Sequence, residues 1–199
     1  MRKVRASSRG AILAATERLM VEEGYAAVST RRVAKEVGVA PALVHYHFAT
    51  TEDLLMALFR GLTEVSRAET IAALAGPDPL RALWDLNSDP AGTAIIHEFM
   101  ALSNHRKEIR AEIAAYVEEM RVLQAEALAA AACPGDPGEG NEADEAGREL
   151  GMGLSVLVAG MARSLVMEGG MGITLGHVEA QKIIGLLMET VREKRATLS

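Results

Sequence analysis

Between Ser29 and Phe48 the chain reads STRRVAKEVGVAPALVHYHF, and this stretch constrains the fold more tightly than any other. Val33, Ala34 and Val37 fall at i, i+1 and i+4, one apolar stripe on a helix that Ser29 or Thr30 can start. Gly38 breaks that helix. Pro41 stands where a second helix has its first position, with a fixed φ and no N–H left to satisfy. Val44 and Phe48, four apart, form the buried face of the second helix, which leaves Pro41, Leu43, His45, Tyr46 and His47 on or near its outer surface. Two short helices around a glycine turn, with an aromatic and two histidines facing outward, read as a helix-turn-helix. An exposed face of that composition calls for a partner, and DNA is the one this motif serves.

The expected fold class is all-α. Aromatics make up only 4% of the residues while Ala, Leu, Met and Val abound, and no stretch alternates in the β-branched pattern of a strand. With 199 residues, 49% of them apolar, there is enough chain for a three-helix N-terminal head over 1–52 and a helical body over 53–199, about nine helices in all. The net charge of −6 alone argues against nucleic acid, but the charge is uneven. Residues 1–51 hold eight Lys/Arg against four acids, a balance of +4, which leaves −10 for the remainder. A basic head on an acidic body is the asymmetry expected when one end meets phosphates. A lone Cys133 excludes an internal disulfide and suits a reducing cytoplasm. The apolar run near the start ends at Thr16-Glu17-Arg18, too short for a signal peptide. The run from Leu150 to Ala162 meets Arg163 before the roughly 18 residues a membrane span needs, so a soluble, intracellular chain is expected.

In chain order, residues 1–7 form a basic arm, and Ile12, Ala15 and Leu19 mark a first helix from about Ser8 to Glu23 that Gly24 stops. Thr50-Thr51-Glu52-Asp53 has the form of a capping box, so a fourth helix starts there and its stripe runs on towards Leu74. Gly76-Pro77-Asp78-Pro79 and Asn87-Ser88-Asp89-Pro90 bound a short helix holding Trp84, and further helices run to about Asn104 and from Lys107 to Ala132. Cys133 to Glu145 has the composition of a mobile connector. The helix from about Glu142 to Glu168 is apolar on most of its circumference and so is covered on two sides, with Gly151, Gly153 and Gly160 permitting close approach of a neighbour. A last helix from about His177 to Lys194 completes a pair suited to an intersubunit four-helix bundle.

As a set, Gly24-Tyr25, Ser29 to Ala34, Val37-Gly38-Val39, His45 to Phe48 and Thr51 to Leu55 resemble the tetracycline-repressor (TetR) family of transcriptional regulators in spacing, over roughly residues 8 to 62. The resemblance implies a homodimer whose two heads enter successive major grooves of a DNA operator. It also implies a body that binds a small-molecule effector and so changes the head spacing. By position, Thr30 resembles the family's phosphate contact at the start of helix 2 and Arg31 its groove-facing arginine. Pro41, Ala42 and Leu43 match base-facing positions, and Tyr46 and His47 backbone-contacting ones. His45 stands where tyrosine is usual, and Thr51 replaces a lysine that commonly touches phosphate. Leu43 has no hydrogen-bonding group for a base edge, so it would read thymine methyls and leave Arg31 more of the polar readout.

Other readings of these residues remain open. Arg31 and Arg32 also suit a solvated charged turn, and Tyr46 a partly buried packing residue. His45 and His47, two apart, point about 200° from each other on a helix, which speaks against metal ligation, and no metal or other cofactor is expected. For the effector, His97, Asn104 and His105 share one side of a helix, beside Phe99 and Met100, and with Trp84, Tyr116 and Met120 they make an apolar pocket with a few polar groups. For any single one of these residues ordinary core packing is the favoured explanation, with His105 simply ending a helix. Arg163, set in an apolar helix, calls for an acid, a ligand carboxylate or solvent, with an interhelical or interface salt bridge as the first expectation. The function expected is a ligand-responsive DNA-binding regulator, a repressor released when a small, largely apolar molecule binds. An all-α enzyme or small-molecule carrier is the alternative. No Gly-rich phosphate loop, H-E-x-x-H or clustered ligand set supports the enzyme.

Overall fold

The computed structural model describes residues 8–132 and 142–198; the basic arm expected over 1–7, Cys133 and the first part of the expected connector lie outside them. All the regular structure described is helical. In order the helices are α1 (Ser8–Glu23), α2 (Thr30–Val37), α3 (Pro41–His47), α4 (Thr51–Leu74), α5 (Pro79–Asn87), α6 (Pro90–Ser103), α7 (Lys107–Ala132), α8 (Glu142–Gly170) and α9 (His177–Leu198), with one 3-10 turn at Tyr25–Ala27. The chain forms two compact units, residues 1–65 with 94–113, and residues 66–93 with 114–199.

In the first unit α1, α2 and α3 pack on one another around Ile12, Ala15, Leu19, Met20, Val33, Ala34 and Val44, all at or near full burial. These are the positions the helical periodicity selects. Thr16 shares the buried face because its hydroxyl donates to the Ile12 carbonyl at 2.8 Å, leaving no orphan polar group. Helix α4 begins with the reciprocal cap its sequence announces. The Thr50 N–H donates to Asp53 Oδ2 at 3.0 Å, and the Asp53 N–H donates back to Thr50 Oγ1 at 3.0 Å. Phe59 of α4 meets Phe99 of α6 edge to face at 5.1 Å between centroids. Arg60 of α4 and Glu112 of α7 form a bidentate pair at 2.6 and 3.3 Å. That pair lies at the surface, where solvent screening leaves it little weight in stability.

The core of the second unit joins Leu74, Leu80, Leu83, Leu128, Leu154, Val158, Ile184 and Met188, so α5, α7, α8 and α9 each give one face to it. Asp78 caps α5 by accepting the Arg81 N–H at 3.1 Å, and its other oxygen takes Arg192 of α9 at 2.7 Å. Helix α8 is apolar beyond the face this core uses. Leu154, Val158, Ala159 and Ala162 are buried, while Leu150, Met152, Val156, Leu157 and Met167 are exposed. By length and composition the segment Glu145–Gly170 is apolar enough to cross a membrane, with a mean hydropathy of 1.7 over its best window. The sequence expectation that Arg163 interrupts the run too early is corrected here, because one arginine does not offset so many Leu, Val, Met and Ala neighbours.

Close approach to α8 is realised at one of the three glycines named for it. A Cβ built on Gly151 would lie 2.2 Å from the Ala125 carbonyl oxygen of α7, whereas Gly153 and Gly160 face open space within the chain. Gly151→Ala is therefore expected to lower unfolding free energy by about 2 kcal/mol or more, since the obstacle is backbone that cannot rotate away. Gly153→Ala is expected to be neutral or to stabilise by up to about 1 kcal/mol through helix propensity. Urea unfolding of both variants checks the pair of outcomes.

Candidate nucleic-acid interface

Four closures shape the surface formed by α2 and α3. Ser29 is extended (φ −146°, ψ 154°), and its Oγ accepts the Arg32 N–H at 3.1 Å, which starts α2. Gly38 ends it in the left-handed region at φ 74° and ψ 34°. There the Val39 N–H reaches the Ala34 carbonyl at 3.0 Å and the Gly38 N–H the Lys35 carbonyl at 3.2 Å, a Schellman closure. Pro41 opens α3 after an extended Ala40, and Phe48 closes it with its N–H on the Val44 carbonyl at 2.8 Å. Only Val44 and Phe48 of this second helix region are fully buried, so a short helix is held by two side chains and presents the rest.

The outward residues divide by engagement. Tyr46 is 82% exposed, and its ring lies edge to face with that of His47 at 5.2 Å. Arg31 is exposed and makes no hydrogen bond or ion pair among the described residues, whereas its neighbour Arg32 is held by Glu23 at 2.5 Å. Sequence alone left both arginines as candidates for a solvated turn, and the structure separates them. Pro41 and Ala42 are exposed, and Leu43 and Thr51 are half-buried. Thr30 is buried, its Oγ1 lying 3.4 Å from His45 Nε2, while His45 Nδ1 lies 3.3 Å from the Ala49 carbonyl. Because a carbonyl only accepts, Nδ1 carries the proton, and in the neutral ring the Thr30 hydroxyl then donates to Nε2. Thr30 and His45 thus tie the first turn of α2 to the last turn of α3. His47 is half-buried and bonded to Ser8 Oγ at 2.9 Å. The two histidines therefore serve different neighbours.

Sequence reasoning passed over two residues of this unit. Arg9 lies 5.3 Å from the Phe48 ring centroid, a cation–π contact that keeps a positive charge beside the end of α3. Glu98 of α6 accepts the Tyr25 N–H at 2.7 Å. A single acid within Ile95-Ile96-His97-Glu98-Phe99-Met100 was the available signal for the latter.

The six effector candidates do not share one environment. In the first unit His97 is half-buried, while Met100 is 54% exposed and Asn104 is exposed. In the second, Trp84 packs against the core, Tyr116 is half-buried and Met120 is buried. A groove of about 300 Å³ in the first unit is lined by Arg9, Leu13, Met56 and Arg60 among others, and none of the six candidates lines it. Of the interhelical or interface salt bridge expected of Arg163, the interhelical one is not formed, since no carboxylate among the described residues meets it. Burial pushes its guanidinium below the ordinary value, and the positive charge of Arg121 pushes further in the same direction.

Residues 12–58 match the profile of the bacterial regulatory proteins of the tetR family. The chain is 26% identical over 181 residues to the HTH-type transcriptional regulator BetI of Rhizobium meliloti (strain 1021), covering 86% of this chain and 88% of that one. Among solved structures it resembles a transcriptional regulator from Saccharomonospora viridis in complex with choline, at 22% identity and a TM-score of 0.69, covering 92% of this chain and 95% of that one. A transcriptional regulator from Rhodococcus sp. Rha1 gives 19% identity and a TM-score of 0.64, covering 96% and 95%. At these identities the two structures establish the fold, which is all-helical as expected.

Arg163→Met is expected to raise the melting temperature by about 2–4 °C, because it replaces a desolvated, uncompensated charge by an apolar side chain of similar length. A fall in the melting temperature would mean that a carboxylate from a second copy of the chain answers Arg163.

Proposed function

We propose that this chain, a member of the tetR family of bacterial regulatory proteins, is a ligand-responsive repressor that leaves its DNA operator when a small, largely apolar molecule binds its C-terminal part. It is a transcriptional regulator, and the relatives it matches are regulators rather than enzymes. The observation that carries the DNA-binding half is the exposed pair Arg31 and Tyr46 on helices whose ends are closed locally, inside the residues matched by the family profile. We assign DNA binding to residues 1–52, with Thr30, Arg31, Pro41, Ala42, Leu43, His45, Tyr46, His47 and Thr51 at or behind the contact surface. Thr30, buried, and His45, exposed beside Tyr46, are bonded to each other and fix the angle between α2 and α3. At the front, Arg31 supplies the polar base contact and Tyr46 a backbone contact.

Residues 53–199 are assigned to effector binding and dimerisation. Support for a homodimer comes from the outer faces of α8 and α9, where Val156, Leu157, Val178, Ile183 and Leu186 are each 44–63% exposed. Apolar faces of this extent are unusual on a monomer and fit a four-helix bundle between two copies in the cytoplasm. The S. viridis regulator binds choline, so choline heads the panel of effectors to test, followed by uncharged apolar molecules.

The deciding experiment is selection of a duplex from random sequence, followed by gel shifts over a salt series. The wild type is expected to select a palindromic site with affinity that falls as salt rises. Arg31→Ala is expected to weaken the selected site by about 10- to 100-fold while flattening base preference at one position. Tyr46→Ala is expected to weaken all sequences by about tenfold with unchanged melting. Absence of a selected site, or affinity indifferent to salt, refutes the DNA-binding half. For the effector half, a panel member is expected both to raise the melting temperature, by binding the folded chain, and to release the duplex, by binding the DNA-free form more tightly. A panel that does neither refutes that half.

A further inference from the structure

We propose that Glu98 of α6 is a positioning residue for the DNA-binding surface, holding the joint between α1 and α2 from outside the helix-turn-helix; this rests on the reading of the chain as a DNA-binding regulator. The joint is six residues long, 24–29, and begins with Gly24 at φ +84°, which turns the chain out of α1. Its backbone bonds are mostly local. The Gly24 N–H returns to the Met20 carbonyl at 3.1 Å, the Ala27 N–H to the Gly24 carbonyl at 3.1 Å, and the Val28 N–H to the Tyr25 carbonyl at 3.2 Å. The Tyr25 N–H instead donates to the Glu98 carboxylate at 2.7 Å, across 73 positions of sequence. A short bond from a backbone N–H to a carboxylate is of the stronger, charge-assisted kind.

One further contact is made to the same place. The Tyr25 ring stacks on His105, just beyond the end of α6, with centroids 6.5 Å apart and planes at 29°. Phe99, beside Glu98, in turn seats α6 on α4 through Phe59. Ser29, which caps α2, follows Tyr25 by one helical turn's worth of chain, so the position of Glu98 sets where α2 begins relative to α1. By helical geometry Met100 lies about 200° around α6 from Glu98, and it is exposed. One face of α6 therefore fixes the joint while the face that carries Met100 is exposed.

The test uses the full chain and the duplex selected by the wild type. Glu98→Ala is expected to lower affinity for that duplex about tenfold, with helicity, self-association and melting close to wild type. The sign is diagnostic, because removing a negative charge by itself strengthens binding to a polyanion. Glu64→Ala removes the same charge from an exposed position of the same unit, and it is expected to bind as tightly as the wild type or more tightly. Glu98→Gln retains an acceptor at the same place and is expected to recover most of the loss, within about two- to threefold of wild type. Amide hydrogen exchange at Tyr25 should quicken in Glu98→Ala and much less in Glu98→Gln. If the Ala variant does not fold, Glu98→Ser, whose short side chain also withdraws the acceptor from Tyr25, is read by the same two measurements. Wild-type affinity or unchanged Tyr25 exchange in the truncated variant overturns the positioning role. A wild type that selects no duplex refutes the DNA-binding reading itself, before any variant is made.

Discussion

The head of this molecule depends on how its backbone ends are closed. Every helix leaves N–H groups at one end and carbonyls at the other, and short helices have few internal bonds to set against that cost. Between Gly24 and Asp53 three short elements start and stop, and nearly every closure is made within five residues by Ser29, Gly38, Pro41 or the Thr50–Asp53 box. Because these ends are closed locally, α3 needs to bury only Val44 and Phe48, with His45 and His47 tied to Thr30 and Ser8. Pro41, Ala42 and Tyr46 are then left facing outward. The local closures and the exposed surface are thus two results of one economy of chain.

Local closure also explains what could be read from the sequence. A left-handed glycine, a proline without an N–H and a Thr three residues before an Asp each act on immediate neighbours, so helix limits from α1 to α4 follow from single positions. Long-range partners carry no such mark. Arg163 was recognisable as a charge in an apolar helix, but that it would face Arg121 and no carboxylate among the described residues was not. Three glycines on α8 look alike in sequence, yet only Gly151 meets the α7 backbone. Glu98 looks like an ordinary surface acid until its hydrogen bond to Tyr25 is seen.

The same limit applies to the expected pocket. Spacing of i, i+7 and i+8 places residues on one side of a helix without saying whether that side is covered, and Met100 and Asn104 turn out exposed. Nor do compact units follow helix breaks. The boundary at residue 65 falls inside α4, and that at 113 inside α7, where the sequence offers neither glycine nor proline. Helical stripes announce burial and not the partner that provides it. The outer faces of α8 and α9 show this most clearly, since their periodicity is that of a core helix while their side chains are open.

If α3 meets a major groove as proposed, its composition bears on what kind of information a DNA duplex can pass to it. Its first turn, Pro41-Ala42-Leu43, offers carbon and no donor or acceptor from its side chains. Such a surface in a major groove senses a methyl group at the C5 edge of a pyrimidine, and thymine is recognised there by that methyl. Cytosine methylated at C5 displays the same group in the same place. An apolar reader of this kind does not register which of the two bases carries it, so chemical marking of a site would count as a change of letter.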